Sequence, residues 1–441
     1  MTTTALDRST QTSKKQVFSW AMWDWGTQPF NTVITTFVFA VYITGERFGS
    51  TNYTSTALSI STTIAGLLVA ALAPVLGQMS DRSGRKLFHL RWQTWLVALI
   101  SASLFFIKPT PSFLWPGLVL LGVGSVVSEI AGVNYNATLD DVATGRNVGR
   151  VSGFGWGMGY LGGIVVLLLI FVAFIQPEVG LFGVGDADAL DIRVSMLVCG
   201  VWTLLFTLPT FINLRDRPGS AKPPAGSLLE AYRAVWRSIK RLWGTSRHTV
   251  WFLMASALFR DGLAGVFAFG AVIAAGTFGF TAGDVIIFGA AANIAAGLST
   301  MAFGLLDDRI GPKKVIVISL TGLTVLGVLI FAFYDRGPTA FWVFGMLMTM
   351  FVGPAQSASR SFLARLIPEG QSGEIFGLYA TTGRVVSFLS PALFGLAIAL
   401  GHAVTGRENT QYWGILGITV VLLAGLIAMI GVKEPGEHTL S

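Results

Sequence analysis

Gly77-Gln78-Met79-Ser80-Asp81-Arg82-Ser83-Gly84-Arg85-Lys86 is matched, about 227 residues later, by Gly304-Leu305-Leu306-Asp307-Asp308-Arg309-Ile310-Gly311-Pro312-Lys313-Lys314. Both stretches read Gly-x-x-x-Asp-Arg-x-Gly-x-Lys, and each stands between two long apolar runs. Glycine permits a tight turn where a chain leaves a membrane. A carboxylate set among basic neighbours and helix N-termini suits a charge-assisted latch that holds helix ends together and releases when they part. Anchoring of basic residues at one membrane face accounts for a single copy. Two copies at equivalent places point to a working element, with Gly77, Asp81, Arg82, Gly84, Arg85, Asp308, Arg309 and Gly311 as its gating residues.

The composition around these loops is that of a membrane protein. The 441 residues are 53% hydrophobic and 12% charged, about half the charged share of a globular chain. A surface facing lipid needs no charge, and charge there is costly. Fifty-two glycines fit helices that approach closely. Spans need about 20 apolar residues, and about twelve are readable: 17–44, 54–79, 88–107, 113–138, 150–175, 192–213, 248–276, 282–306, 315–334, 339–366, 374–401 and 411–432. The N-terminus is polar through Gln16 and then enters the first run without a small-residue cleavage site, which reads as a first transmembrane helix and not a signal peptide.

Lysine and arginine set the orientation. With the N-terminus cytoplasmic, Lys14, Lys15, Arg82, Arg85, Lys86, Arg91, Arg146, Arg150, segment 214–247, Arg309, Lys313, Lys314, Arg360, Arg365 and Lys433 fall inside. Only Arg47, Lys108, Arg193, Arg336 and Arg407 fall outside, a bias of roughly four to one. The net charge of +7 then needs no nucleic-acid partner. The expected place is a multi-pass cell-membrane protein with both termini cytoplasmic.

Segment 214–247 splits the spans six and six, giving a first domain 1–213, a linker and a second domain 248–441. Within the linker, Leu228, Leu229, Tyr232, Val235, Trp236, Ile239, Leu242 and Trp243 recur at helical spacing, with Arg233, Arg237, Lys240 and Arg241 on the other face. That pattern suits either an amphipathic helix on an anionic membrane surface or a plain connection. Gly149 and Gly153 match Gly373 and Gly377 at a similar offset, and Asp24 has a counterpart in Asp261. The expected fold is all-α: about twelve transmembrane helices in two pseudo-symmetric six-helix bundles that rock about a site at their interface. One chain holds both halves, so a monomer suffices.

Several other chemistries are excluded or disfavoured. Cys199 is the single cysteine, and His89, His248, His402 and His438 are scattered, so no metal site and no cofactor is expected. Gly157-Met158-Gly159-Tyr160-Leu161-Gly162 matches a dinucleotide fingerprint but lies in an apolar helix with no preceding strand. Its glycine face is expected to pack on Gly289, Ala292, Ala296 and Gly297 of span eight. Gly185 to Asp191 is too short for a calcium loop and lacks the closing Glu, and no Walker sequence supplies ATP chemistry.

Over nearly its whole length the sequence resembles the major facilitator superfamily, and within it the vacuole-effluxer (autophagy-22-like) family. Trp20-Ala21-Met22-Trp23-Asp24-Trp25, Tyr135-Asn136-Ala137-Thr138-Leu139-Asp140-Asp141, Ser152-Gly153-Phe154-Gly155-Trp156-Gly157, Gln356-Ser357-Ala358-Ser359-Arg360-Ser361 with Arg365 and Pro368-Glu369, and Gly373-Glu374-Ile375-Phe376-Gly377 carry the likeness. Gly26-Thr27-Gln28, Asp140 and Gly353-Pro354-Ala355 depart from the family's pattern. The resemblance implies a secondary transporter, not an enzyme, exporting small molecules with amino acids as the family's cargo. Lipids, amphiphiles or drugs are the alternative cargo. A membrane-embedded enzyme or receptor-like protein is the alternative of another class, and an enzyme needs a compact polar constellation at one membrane face, which the sequence lacks.

Asp24, Glu129, Arg260, Asp261 and Arg384 lie inside spans. Each costs about 2.5–3.5 kcal/mol at a helix centre unless paired or wetted. In the resembled fold spans one, four, seven and ten line the cavity, which puts Asp24, Glu129 and Asp261 around it. One of these carboxylates then exchanges a proton as the bundles rock, or they pair structurally, for instance with Arg384. Arg260 or Arg384 suits a substrate carboxylate through its planar fork. Asn134, Asn136, Asn293, Gln356 and Arg360 complete the candidate substrate and proton pathway, with interhelical hydrogen bonding as their other reading. The expected partners are thus a small solute, membrane lipid and protons.

Overall fold

The computed structural model describes residues 13–216, 228–245, 247–367, 371–407 and 409–433. The described residues form an all-helical molecule with one isolated bridge, Val179 to Gly185. Sixteen α-helices follow one another: α1 (Lys14–Pro29), α2 (Phe39–Ile43), α3 (Thr51–Ser83), α4 (Lys86–Ser103), α5 (Leu114–Ala137), α6 (Leu139–Val142), α7 (Val148–Ile170), α8 (Leu190–Asn213), α9 (Leu228–Thr245), α10 (Arg247–Phe278), α11 (Ala282–Ile310), α12 (Pro312–Ala332), α13 (Pro338–Leu366), α14 (Ser372–Val386), α15 (Leu389–Thr405) and α16 (Gly414–Ile430).

Ten helical stretches among the described residues are long and apolar enough to cross a membrane. Two expected spans fall outside that set. The segment 17–44 carries Asp24, Gln28 and Asn31 and is not one helix: α1 passes into a π-helix, Phe30–Phe37, and then the short α2. The wide turn follows Pro29, which offers no backbone N–H. The segment 88–107 is α4, which opens with Lys86, His89 and Arg91. Span 374–401 also differs from expectation. It is broken into α14 and α15 at Ser387 and Phe388.

Local chemistry sets the helix ends. Ser13 caps α1 reciprocally with Gln16, and Thr281 caps α11 with Asp284. The two repeated stretches close α3 and α11 with left-handed-side glycines, Gly84 at φ 63° and Gly311 at φ 90°, where a β-carbon would be strained. Both turns, with Arg150 and Arg365, lie at one end of the molecule, here the basic end.

α1, α3, α4, α5, α7 and α8 pack on one another, as do α10 to α16. Contacts between these sets run chiefly through α7 with α11 and α3 with α14. The larger apolar core draws on helices from both sets, whereas a second cluster around Phe39, Tyr42, Leu118, Ile170 and Cys199 belongs to the early helices alone. Large apolar side chains such as Leu67, Leu99, Val201, Ile212 and Ile427 stand exposed around the outside. In water such a surface drives association, and against hydrocarbon it is at home.

Candidate functional site

The basic end holds two cross-chain latches of the same design. Asp81, at the end of α3, accepts from the backbone N–H groups of Gly373 and Glu374, both at 2.9 Å, at the start of α14. Asp308, at the end of α11, accepts from the backbone N–H groups of Gly149 at 2.8 Å and Arg150 at 3.1 Å, at the start of α7. The first N–H groups of a helix have no partner within it and carry the positive end of its dipole, so a carboxylate there is doubly favoured. Each repeated stretch thus grips a helix from the other part of the chain.

Charged neighbours complete both latches. Lys86 lies 3.8 Å from Asp81 and 3.5 Å from Asp140, which also accepts from Ser372 at 2.6 Å. Burial alone lowers the affinity of the Lys86 ammonium for its proton, but Asp140, Asp141 and Asp81 outweigh it and push its pKa above the usual lysine range. On the other side Arg365 lies 3.1 Å from Asp307 and 3.6 Å from Asp308, and Ser361 donates to Asp307. Arg150 lies 3.6 Å from Asp308. Arg82 is half-buried, and Arg85 and Arg309 are exposed. Glycine makes the crossings possible. A methyl group on Gly377 would meet the Ala73 carbonyl oxygen at 2.5 Å, and one on Gly153 would meet the Gly304 α-carbon at 2.8 Å.

Deeper in the molecule, Arg360 of α13 reaches into the early helices. Its side chain is 3% exposed. Nε donates to Ser152 Oγ at 2.9 Å, one terminal nitrogen to the Ser152 carbonyl oxygen at 2.7 Å, and the other to Asn136 Oδ1 at 3.2 Å. Asp24 lies 3.5 Å away and also accepts from the Tyr135 hydroxyl at 2.8 Å. The rings of Trp20, Tyr135 and Trp156 surround the guanidinium at 5.0–5.7 Å. The buried charge is therefore paired, hydrogen-bonded and enclosed by aromatic faces.

The other candidate residues divide. Glu129 of α5 pairs with Arg384 of α14, and both side chains are about two-fifths exposed. Ionised groups that exposed on helices long enough to cross a membrane require a wet space. Arg260 of α10 stacks on the Tyr379 ring at 3.7 Å and donates to the Tyr379 carbonyl oxygen at 2.7 Å. No carboxylate lies within ion-pair distance of Arg260 among the described residues, whereas Arg384 has Glu129. Gln356 is half-buried one turn before Arg360. Asn134 turns away and donates to Gln93 at 2.8 Å.

Asp261 departs from the sequence expectation. It is 5% exposed and accepts from the Ser390 backbone N–H at 2.7 Å, capping α15 where span eleven is broken. Its carboxylate is committed to that cap. The glycine face of α7 also differs from its expected role. Gly153 and Gly157 face α11 near Gly304, Gly297 and Met301, but Gly155, Gly159 and Gly162 face α1, and Gly163 faces Thr32 of the π-helix. Gly289 and Asn293 instead line a cavity of about 420 Å³ with Thr32, Phe37, Leu168 and Phe171. Tyr135, Ser152, Asp307 and Ser390 have structural parts here that residue type did not signal, although the Asp307-Asp308 doublet is visible in sequence.

Known proteins share this architecture. Among solved structures, the chain matches a bacterial homologue of the iron transporter ferroportin in an outward-facing state (TM-score 0.67, 16% identity, 94% of this chain and 98% of that one). It also matches the proton:xylose symporter XylE (TM-score 0.70, 14% identity, 95% of each chain), and the transporter FucP in its outward conformation (TM-score 0.69, 13% identity, 96% and 99%). An MFS-type transporter of Bacillus subtilis, YxiO, described as uncharacterized, is 25% identical over 97% of both chains. Autophagy-related protein 22 of Yarrowia lipolytica is 24% identical over 71% of this chain. The chain spans about half the length of such fungal relatives, 54% in that case. A Major Facilitator Superfamily profile matches residues 5–167, and the profile of the vacuole effluxer Atg22-like family matches residues 140–436. With two thirds of its length under the second profile, the chain belongs to the vacuole effluxer Atg22-like family, as a multi-pass membrane transporter and not an enzyme.

Proposed function

We propose that this protein exports amino acids or similar small solutes by alternating access, as a monomer of twelve spans. The spans form two six-helix bundles, 1–213 and 248–441, joined by 214–247. The packing of α1 to α8 and of α10 to α16 into separate sets supports this division, with the π-helix-bearing segment 17–44 and α4 as the two spans of weaker hydropathy. The lysine and arginine bias supports a cytoplasmic basic end with both termini on that side. The terminal residues themselves lie outside the described residues.

The reciprocal latches carry the proposal. With Asp81 on α14 and Asp308 on α7, the cytoplasmic ends of the bundles are held together. The exposed Glu129–Arg384 pair and the 420 Å³ cavity, lined by the outer ends of the 17–44 segment and α7, support reading this as an outward-open state. FucP and the ferroportin homologue, solved in outward states, are neighbours consistent with it. Arg360 and Asp24, with Tyr135 and Asn136, form the floor of the pathway, and Arg260, with no carboxylate within ion-pair distance among the described residues, offers its cation to a solute's acid group. A proton taken up by Asp24 frees Arg360 and loosens the floor, which couples proton movement to bundle rocking.

Counterflow of labelled amino acids in proteoliposomes tests the cargo. Exchange is expected for the wild type. Under an imposed pH gradient, Asp24→Asn should lose gradient-driven uptake while keeping exchange. If Asp24→Asn, Glu129→Gln and Asp261→Asn all keep gradient-driven uptake, the proton role fails. One observation favours a second cargo. The cavity is lined almost wholly by apolar side chains, including Val38, Val41, Leu167 and Ile175, which suits a lipid, amphiphile or drug. Movement of labelled lipid without amino-acid exchange would select that reading.

A further inference from the structure

Helix α9 stands apart from the transport machinery. Its residues carry four cations, Arg233, Arg237, Lys240 and Arg241, against one acid, Glu230. One face is committed to the protein. Tyr232 donates to the Ala71 carbonyl oxygen of α3 at 3.1 Å, Ile239 packs on the main core, and Leu242 is 4% exposed. α9 also contacts α10, into which the chain then runs. Ala71 lies twelve residues before the end of α3 at Ser83, about 18 Å along the helix axis. The first turns of α9 are therefore pinned beside a membrane-crossing helix, not suspended in solvent beyond it.

The opposite face has an ordered chemistry. Arg233, Arg237 and Lys240 are exposed along one stripe. Trp236 and Trp243, 58% and 47% exposed, flank that stripe on the side toward the packed face. The Lys240 ammonium lies 5.6 Å from the Trp236 ring. Indole rings favour the boundary between acyl chains and headgroups, and lysine and arginine stems reach past them to phosphate. Rings nearer the protein and cations farther out match that boundary in order.

We infer that this face of α9 is a docking surface for anionic phospholipid, with phosphates held by Arg233, Arg237 and Lys240 and the glycerol region against Trp236 and Trp243. The surface ties the connection between the early and late helices to the charge of the leaflet, and it stands independently of the cargo.

The test uses the full chain in nanodiscs and compares phosphatidylglycerol with phosphatidylcholine. Each basic residue near an anionic surface is worth about five-fold in partition, so Arg233→Gln/Arg237→Gln/Lys240→Gln should cut the preference for phosphatidylglycerol in native mass spectra by ten-fold or more. A bimane on Gly244→Cys, specific because the native Cys199 is buried, should shift to the blue in phosphatidylglycerol and lose that shift in the triple variant. An unchanged lipid preference in the triple variant overturns the inference, as does equal protection by soluble glycerol phosphate. Capture of poly-glutamate with no response to phosphatidylglycerol overturns it in favour of an acidic protein partner.

Discussion

The two loop carboxylates and the two span carboxylates behave differently. At the basic end, Asp81 and Asp308 perform one task twice, each holding the N-terminus of a helix from the other part of the chain. Inside the spans, Asp24 and Asp261 do different things. Asp24 bridges to Arg360 across the molecule, and Asp261 caps α15 within its own set of helices. The rocking proposed above would need two matched contacts that break together, and the two loops have that form.

The largest effect should come from the asymmetric bridge. Arg360→Met leaves Asp24 buried without its cation, a loss of about 3–5 kcal/mol, and Asp24→Asn/Arg360→Met should recover a large share of it. Thermal unfolding in detergent reads both, and a single variant that melts with the wild type would remove Arg360 from the centre of the comparison. The latches come next. Asp81→Asn and Asp308→Asn each forfeit charge and one of two backbone bonds, about 1.5 kcal/mol or ten-fold in the population of the closed basic end. Spin labels at the exposed positions of Arg85→Cys and Lys314→Cys should report equal opening for the two variants. Opening by one alone would show that the symmetry is only in the sequence. The smallest effect belongs to Asp261→Ala, about 1 kcal/mol for a lost helix cap, with the spin-label distance unmoved. Opening of the basic end by that variant would return Asp261 to the moving parts.

Much of this was legible from the chain. The repeated stretch predicts latches, and Asp81 and Asp308 are its central carboxylates. The spacing of Tyr232, Ile239 and Leu242 predicts α9, and helix α9 spans Leu228–Thr245. Arg360 and Asp24 are conspicuous as charges in apolar surroundings. Their pairing is not, because periodicity fixes which face of a helix a residue occupies and says nothing of which distant helix lies opposite. For the same reason Ser152 and Tyr135 read as ordinary span residues, and Arg365 as one more basic anchor, until α7, α5 and α11 are set beside α13. The break between α14 and α15 has a signal in the chain, Pro391, which has no N–H to give the Ser387 carbonyl and whose ring crowds it, and the carboxylate of Asp261 on α10 then satisfies the Ser390 N–H at the start of α15.

That break has a mechanical consequence. α14 is gripped at its start by Asp81, while α15 is fastened to α10 by Asp261. A continuous rod would carry any tilt of its upper half straight to the lower fastening and pry it loose. A joint at Ser387 and Phe388 lets the upper piece swing while the lower one stays clamped. Under the transport cycle proposed above, such a joint would let the outer mouth shut before the inner one opens.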